Sequence, residues 1–171
     1  MRRVATAAFT LEPQTVAHAD AMFDVLSDPA IYEHENAPPA SREWLRERFA
    51  RLESRRSADG RQQWLNWVIR LPSSALAGYV QASVDADGGA MIAYELTSVY
   101  WGRGLGRAAV DAMIGELVEH HHVRRVSAIG KHGNLRSRKM LERLDFTPAT
   151  PAQYAAARPD ADEWLMCREI R

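Results

Sequence analysis

Apolar residues along this chain recur at two spacings, which together predict an alternation of strands and helices. A spacing of three to four residues, as at Ala19, Met22 and Leu26, predicts an amphipathic helix. Shorter apolar runs bounded by Pro, Gly or Asp predict strands. The predicted strands are 7–11, 64–71, 76–84, 90–97, 124–130 and 164–170, and the predicted helices run from Ala19 to Leu26, after Ser41, across Val110–Val118 and over Asn134–Leu144.

These elements occur in the order β-α-α-β-β-β-α-β-α-β. The loop 85–89, Asp-Ala-Asp-Gly-Gly, suits a hairpin between two of the strands. A sheet that begins with hairpins and ends with a crossover through a helix predicts a mixed α/β (α+β) domain, with a central, mostly antiparallel sheet flanked by helices. No repeat or linker-like segment interrupts the 171 residues, so we expect a single domain over 1–171.

Three glycines at alternate positions, Gly102, Gly104 and Gly106, separate the strand at 90–97 from the next helix. Glycine lets the backbone approach a ligand closely, and the first turn of a helix leaves N–H groups without partners. These donors and the positive end of the helix dipole suit a phosphate or a diphosphate. The sequence therefore predicts an anion site at this turn, and the open question is which phosphate-bearing ligand it binds.

The composition narrows the choice of partners. Lys and Arg together number 22, as do Asp and Glu, so no basic field favours nucleic acid, and we expect none as a partner. The single Cys167 excludes an internal disulfide and fits a reducing compartment. No apolar run reaches about 18 residues, and 4–8 is too short for a signal-peptide core. We therefore expect a cytoplasmic protein without membrane contact.

A tract of three histidines, His120-His121-His122, is the one pattern that suggests a metal. Three consecutive residues on a helix do not share a face, and no cysteine or carboxylate cluster accompanies them at the spacing of a zinc site. Histidine near a helix C-terminus is also favoured by the helix dipole. We therefore expect no metal site.

Two familiar phosphate loops do not fit the glycine turn. A dinucleotide-binding loop has the pattern Gly-x-Gly-x-x-Gly, but the third position here is Arg107. Such a loop also usually opens its domain, whereas this one follows three meandering strands. A P-loop ends in Gly-Lys-Ser/Thr, which is absent.

The turn resembles instead the loop of the GCN5-related N-acetyltransferases (GNAT), whose pattern is Gln/Arg-x-x-Gly-x-Gly/Ala. Gly104 and Gly106 supply its glycines at the correct spacing, and Trp101 stands where Gln or Arg is usual. Downstream, residues 134–146 are similar to the family segment Asn-x-x-Ser-x-x-apolar-Leu-Glu-Lys-Leu-Gly-Phe.

Further matches resemble the RimJ/RimL-like branch of this superfamily. They are Tyr-x-Leu at 94–96 and Tyr-Trp-Gly at 100–102, with the N-terminal elements in the family order. The resemblance covers about residues 7–148 and is most specific within 94–146.

This resemblance implies that the cosubstrate is acetyl-CoA. Backbone N–H groups of the glycine turn would hold its diphosphate, and backbone groups near Leu96 would pair with its pantetheine arm and help to stabilise the oxyanion. Asn134 matches the family residue that contacts this arm. The implied cofactor-binding residues are Leu96, Gly102, Arg103, Gly104, Leu105, Gly106, Arg107, Asn134 and Arg138, with Lys139 also within reach of CoA phosphates.

Acetyl transfer needs a neutral amine and a proton for the departing thiolate. Many relatives use a tyrosine on the last helix as the acid, but this chain has Leu141 there. The branch has a serine after the asparagine, which implies Ser137 as the acid; a solvent-facing helix serine is the alternative. The base is open between Glu95, which could also be an ordinary strand residue, and the segment Glu33-His34-Glu35 acting through water.

The function implied is acetyl-CoA-dependent N-acetyltransfer by direct attack in a ternary complex. The acceptor is open between a protein N-terminal amine and a small amine such as a polyamine or an aminoglycoside. Its site is expected among 31–40, the second helix and the outer end of strand 90–97. A non-catalytic acyl-CoA-binding or sensing module is the alternative, motivated by the missing tyrosine and by Trp101. A homodimer is a possible assembly.

Overall fold

The computed structural model describes residues 1–34 and 37–170, and these form a mixed eight-stranded sheet flanked by helices. The strands lie in the spatial order β1-β2-β3-β4-β5-β6-β8-β7, and all neighbouring pairs are antiparallel except β5–β6. Their bounds are β1 Val4–Ala5, β2 Thr10–Pro13, β3 Gln62–Arg70, β4 Leu76–Asp85, β5 Gly89–Leu96, β6 Arg125–Lys131, β7 Thr147–Pro148 and β8 Glu163–Glu169. The expected mixed α/β class is confirmed.

Of the five α-helices in the described residues, three begin at a side-chain cap, namely α2, α4 and α5. The Ser41 side chain accepts from the Trp44 N–H, as predicted, and Asn134 accepts from the Ser137 N–H at the start of α4. The bounds are α1 Ala19–Leu26, α2 Arg42–Leu52, α3 Leu105–His121, α4 Leu135–Glu142 and α5 Pro151–Ala157. Short 3-10 turns occur at Val16–His18, Pro29–Glu33 and Ser98–Tyr100.

The sheet has one apolar cluster on each face, because successive side chains of a strand point to opposite sides. In β3, Trp67 and Ile69 belong to the larger cluster, which packs against α3 and α4, whereas Val68 belongs to the smaller one beneath α1 and α2. The two helix layers therefore lie on opposite faces of the sheet, and a ligand between the strands can be approached from either side.

The predicted strand at 7–11 is displaced in the structure, which begins β2 at Thr10 and continues it to Pro13. A proline at the strand end is tolerated there, since the Pro13 carbonyl side can still pair with β3. The two-residue strands β1 and β7 carry no detectable pattern. The sequence analysis also missed α5, whose apolar residues lack a helical period, although its Thr150-Pro-Ala-Gln153 capping box was a usable signal.

The sheet opens between β5 and β6. Within the described residues these strands pair only at Gly89–Met91 with Arg125–Ser127, whereas β5 pairs with β4 from Ala90 to Leu96. The outer half of β5 therefore has a paired edge toward β4 and an open edge toward β6. This gap sets the position of the site described below.

No helix formed by residues 1–34 and 37–170 is long and apolar enough to cross a bilayer.

Candidate active site

A cleft of about 850 Å³ occupies the gap between β5 and β6. Its walls combine the outer half of β5, the glycine turn and the first half of α4. Of the residues expected to bind a cofactor, those on its wall are Leu96, Gly102, Gly104, Gly106, Arg107 and Asn134, joined by Lys139. The glycine turn and the segment that begins at Asn134, which are far apart in sequence, thus meet along one cavity.

The glycine turn has the backbone shape that the anion site requires. Gly102 and Gly104 have φ values of 72° and 78°, which other residues rarely adopt, and Gly104 is the N-cap of the 17-residue helix α3. A Cβ built on either glycine would meet no atom within 4 Å. The turn therefore presents helix N–H donors beside open space, which fits a diphosphate.

Two predicted loop residues face elsewhere. Leu105 packs against the larger apolar cluster, and neither it nor Arg103 lines the cleft. Arg138 also lies off the cleft wall, where its Nε is 3.2 Å from Glu142 Oε1 one turn along α4. The positively charged side chains on the wall are instead Arg48, Arg107, Arg136, Lys139 and Arg143. Direct binding of Arg107 and Lys139 to a cofactor stays a prediction.

Trp101, which stands where the family motif has Gln or Arg, connects the glycine turn to β5 and α4. Its Nε1–H donates to the Leu96 carbonyl at 2.8 Å, and the Arg136 guanidinium lies 3.4 Å from the centre of its ring. One indole thus joins the end of β5, the glycine turn and α4. The Leu96 carbonyl therefore already has one hydrogen-bond partner at the end of β5.

Ser137 lies in the first turn of α4 and faces β5. Its Oγ is 2.7 Å from the Tyr94 hydroxyl, and its backbone N–H donates to the Asn134 side chain at 3.1 Å. Asn134 therefore acts as a helix cap while also lining the cleft. Leu141, at the position where many relatives have a tyrosine, is fully buried. Ser137 and Tyr94 form the hydroxyl pair on this wall.

Glu95 lies where the cleft meets a second cavity of about 260 Å³. This side pocket lies against the smaller apolar cluster, under α2 and the turn Pro29–Glu33, and shares Arg48, Tyr79, Gln81 and Glu95 with the cleft. Tyr79 is the cross-strand partner of Glu95, and its hydroxyl donates to the Glu95 carboxylate. Burial, and then the charge of Glu95, raise the pKa values of the Tyr79 and Tyr32 hydroxyls, so both stay protonated.

Gly78 allows this approach. At its φ of 154°, a Cβ would lie 2.0 Å from the Glu95 carbonyl oxygen and 2.8 Å from the Leu96 Cα. No other residue fits between the β4 and β5 backbones at this point. The tight contact fixes the backbone of Glu95 at the junction of the two cavities.

A carboxylate ties the segment after α1 to the end of β5. Asp28 Oδ2 accepts from the Thr97 hydroxyl at 2.9 Å and from the Ser98 N–H at 2.6 Å, while its Oδ1 accepts from the Ala30 N–H. Burial alone would raise the pKa of Asp28, but these hydrogen bonds outweigh it and lower the pKa to about 2. The turn Pro29–Glu33, which carries Tyr32, is thereby held against the end of β5.

The second candidate for the base, the segment Glu33-His34-Glu35, has a different place. His34 packs beside Gly133, where an added Cβ would lie 3.3 Å from its Nδ1, and its Nε2 is 3.9 Å from Glu33 Oε2. Glu35 lies outside the described residues. Neither Glu33 nor His34 lines either cavity, so Glu95 is the candidate that the geometry favours.

The polar residues of the site that the sequence analysis missed include Tyr32, Arg48 and Tyr79, and it cited Tyr94 only as part of a family motif. Tyr94 and Tyr79 lie in strands identified correctly, and their alternation with the buried positions was the available signal. Within the described residues no group of three or more His, Cys, Asp or Glu could hold a metal ion, and the histidine tract lies at the end of α3, away from the cleft.

The model of the family described as acetyltransferase (GNAT) domain matches residues 8–147. The chain belongs to this family. Its cosubstrate is accordingly acetyl-CoA, and the split sheet, the open glycine turn and the cationic wall fit that molecule. No curated protein sequence matches the chain.

Solved structures with the same fold include members of the branch that the motifs indicated. A RimL, described as a ribosomal L7/L12 alpha-N-protein acetyltransferase in complex with coenzyme A, has a TM-score of 0.81 at 16% identity, covering 99% of this chain and 98% of that one. A ribosomal-protein-S5-alanine acetyltransferase from Vibrio fischeri has a TM-score of 0.77 at 17% identity, covering 99% and 97%. A GNAT-family acetyltransferase from Bordetella pertussis has a TM-score of 0.75 at 20% identity, covering 98% and 99%. The assignment to the GNAT family is confirmed, and the chain has the fold of these structures.

Proposed function

We propose that this GNAT protein transfers the acetyl group of acetyl-CoA to a primary amine by direct attack, with both substrates bound at once. The acceptor is a protein N-terminal amine or a small molecule carrying a single amine. The observation that carries the proposal is the placement of Tyr94 and Glu95. As consecutive strand residues they point to opposite faces of β5, Tyr94 toward the α4 side and Glu95 toward the side pocket.

Glu95 suits the role of base on the acceptor face. When bound, acetyl-CoA supplies a thioester whose carbonyl carbon bonds to the amine nitrogen while its carbon–sulfur bond breaks. Before that step the acceptor must lose a proton, and Glu95 lies where the side pocket opens into the cleft. The Tyr79 hydroxyl orients the carboxylate. The role matters most for amines protonated at neutral pH.

The Ser137–Tyr94 pair suits the role of acid on the other face. A departing thiolate needs a proton, and the two hydroxyls lie 2.7 Å apart on the cleft wall. A phenol with an ordinary pKa of about 10 is a better proton source than a serine hydroxyl. Following the family resemblance, we assign Ser137 as the group next to the sulfur, and the more acidic Tyr94 hydroxyl as the group that replaces its proton.

The proposal is tested by measuring acetyl-CoA consumption with a panel of amines and short peptides, in wild type and in Glu95→Gln. Loss of the base should lower kcat/KM by about a hundredfold near pH 7. The deficit should shrink as the pH rises past the pKa of the acceptor, about 8 for an α-amine, since the amine is then already neutral.

Tight CoA binding without turnover on any acceptor would contradict the proposal and favour the non-catalytic sensing module. If kcat/KM depends on pH equally in wild type and Glu95→Gln, Glu95 is not the base, although acetyl transfer itself would stand. The control adds Gln81→Glu to the Glu95→Gln variant. Gln81 lies on the same shared wall, two residues along β4 from Tyr79, and a carboxylate at this position should not restore the activity.

A further inference from the structure

The side pocket carries one positive and one negative side chain. Among the described residues on its wall, Arg48 and Glu95 are the charged ones, and the remainder are aromatic, aliphatic or amide side chains. The pocket is therefore close to neutral overall. Its volume of about 260 Å³ is below the roughly 300–1,000 Å³ of pockets that enclose a drug-sized molecule, so it admits only the reactive end of a larger acceptor.

Arg48 stands opposite the base. It comes from the inner side of α2, lines both cavities, and stacks over the Trp44 ring with 5.6 Å between the guanidinium carbon and the ring centre. Its charge acts on the Tyr79 hydroxyl, which itself donates to Glu95. Arg48, Tyr79 and Glu95 thus surround the point where an acceptor amine must pass to reach the cleft.

Gln14 adds a buried hydrogen-bond donor to this wall. Its side chain is buried, with 3% of the residue exposed, and its Nε2 has no hydrogen-bond partner among the described residues. An unpartnered buried amide is costly, and a ligand oxygen would satisfy it. Gln14 and Arg48 together therefore complement an oxygen on the acceptor, while Glu95 complements its one amine.

This distribution opposes a polycation. A second ammonium group in the pocket would meet Arg48 and would find no second carboxylate on the described wall. Bringing like charges together while removing both from water costs several kcal/mol. Polyamines and aminoglycosides carry several such groups, so they fit this wall poorly.

We infer that Arg48 is a specificity-determining residue, which admits acceptors with one amine next to a neutral oxygen-bearing group and rejects polycationic amines. The inference rests on the proposed acetyl transfer. The charge of the pocket separates single amines from polycationic ones, and the residue responsible lies on α2, where no sequence motif marks it.

The test compares kcat/KM for a short neutral peptide with a free N-terminus and for spermidine, in wild type, Arg48→Gln and Arg48→Glu. Wild type should prefer the peptide. Arg48→Gln should reduce the preference about tenfold, and Arg48→Glu should reduce it further, up to about a hundredfold, with a smaller effect at high salt. Arg51→Gln, an exposed arginine of the same helix that lines neither cavity, is the matched control and should keep the wild-type ratio.

Three other results would contradict either the role of Arg48 or acetyl transfer itself. Unchanged peptide-to-spermidine ratios in both Arg48 variants would overturn the inference while leaving acetyl transfer intact. A rise in the KM for acetyl-CoA with unchanged acceptor preference would show that Arg48 serves the cofactor instead, which also overturns it. Absence of turnover with every acceptor, in wild type and variants with wild-type circular dichroism, would overturn the proposed function itself.

Discussion

At the scale of single residues, the serine that the motif indicated, Ser137, is hydrogen-bonded to a second hydroxyl, that of Tyr94. Ser137 Oγ and the Tyr94 hydroxyl are 2.7 Å apart on the cleft wall. We expect Ser137→Ala and Tyr94→Phe each to lower kcat by about a hundredfold, with little change in the KM for acetyl-CoA. If the two hydroxyls act in series, the double variant should be no slower than the slower single variant. Multiplicative losses measured in steady-state kinetics would show that they act independently.

Which residues could be predicted depended on whether their signal was local. Gly104, Asn134 and Ser137 were found because each belongs to a short motif in which neighbours constrain one another. Tyr79 was not found, because its role depends on a cross-strand register with Glu95 that no local pattern encodes. Arg48 is one of several arginines along α2, and the packing of α2 over β4, which no local pattern encodes, brings it to the site.

At the scale of elements, Asp28 joins the segment after α1 to β5, and its lowered pKa makes the joint sensitive to acid. The carboxylate is more acidic when folded, about 2 against 3.8, so it stabilises the protein fully above pH 4 and loses this effect as the pH falls toward 2. Asp28→Asn should lower the free energy of unfolding at pH 7 by about 1–2 kcal/mol, allowing for partial exposure to solvent.

Denaturant unfolding of wild type and Asp28→Asn across pH 2–7 measures this effect. The two curves should converge at the acid end, and a constant difference would show that the side chain contributes by packing alone. Asp24→Asn is the control, since Asp24 pairs with Arg42 on the exposed surface and such pairs contribute less than about 1 kcal/mol.

The elements themselves were largely predictable, with errors at their ends. Apolar periods placed α1, β3 and β4 to within about two residues, because burial of one face is recorded at every turn of a helix and every second residue of a strand. They located α3 but missed its first turn, since that helix begins at Leu105. Elements of two residues bury too little to leave such a record. The open edge of β5 was expected only through the family resemblance, since a missing strand pairing has no sequence pattern.

At the scale of the whole molecule, cofactor binding and stability are coupled. A ligand at a hundred times its Kd should raise the free energy of unfolding by about 2.7 kcal/mol. Gly104→Ala should largely abolish the rise in Tm that CoA produces, because its Cβ would occupy space beside the helix N–H groups. Gly60→Ala is the matched control: Gly60 has a φ of 72°, open surroundings and a place outside the cleft, so it carries similar backbone strain. A full CoA-dependent shift in Gly104→Ala would locate the diphosphate elsewhere.

The short pairing between β5 and β6 has a consequence for how the molecule opens. Three residue pairs join the sheet of β1–β5 to the sheet of β6–β8, although α3 connects them in sequence. The larger apolar cluster continues across this boundary, so the two parts share one core and only their hydrogen-bonded ladder is interrupted. We expect the amide hydrogens on the open edge of β5 to exchange faster than those that face β4. A molecule seated along the gap would act as the missing strand and slow their exchange.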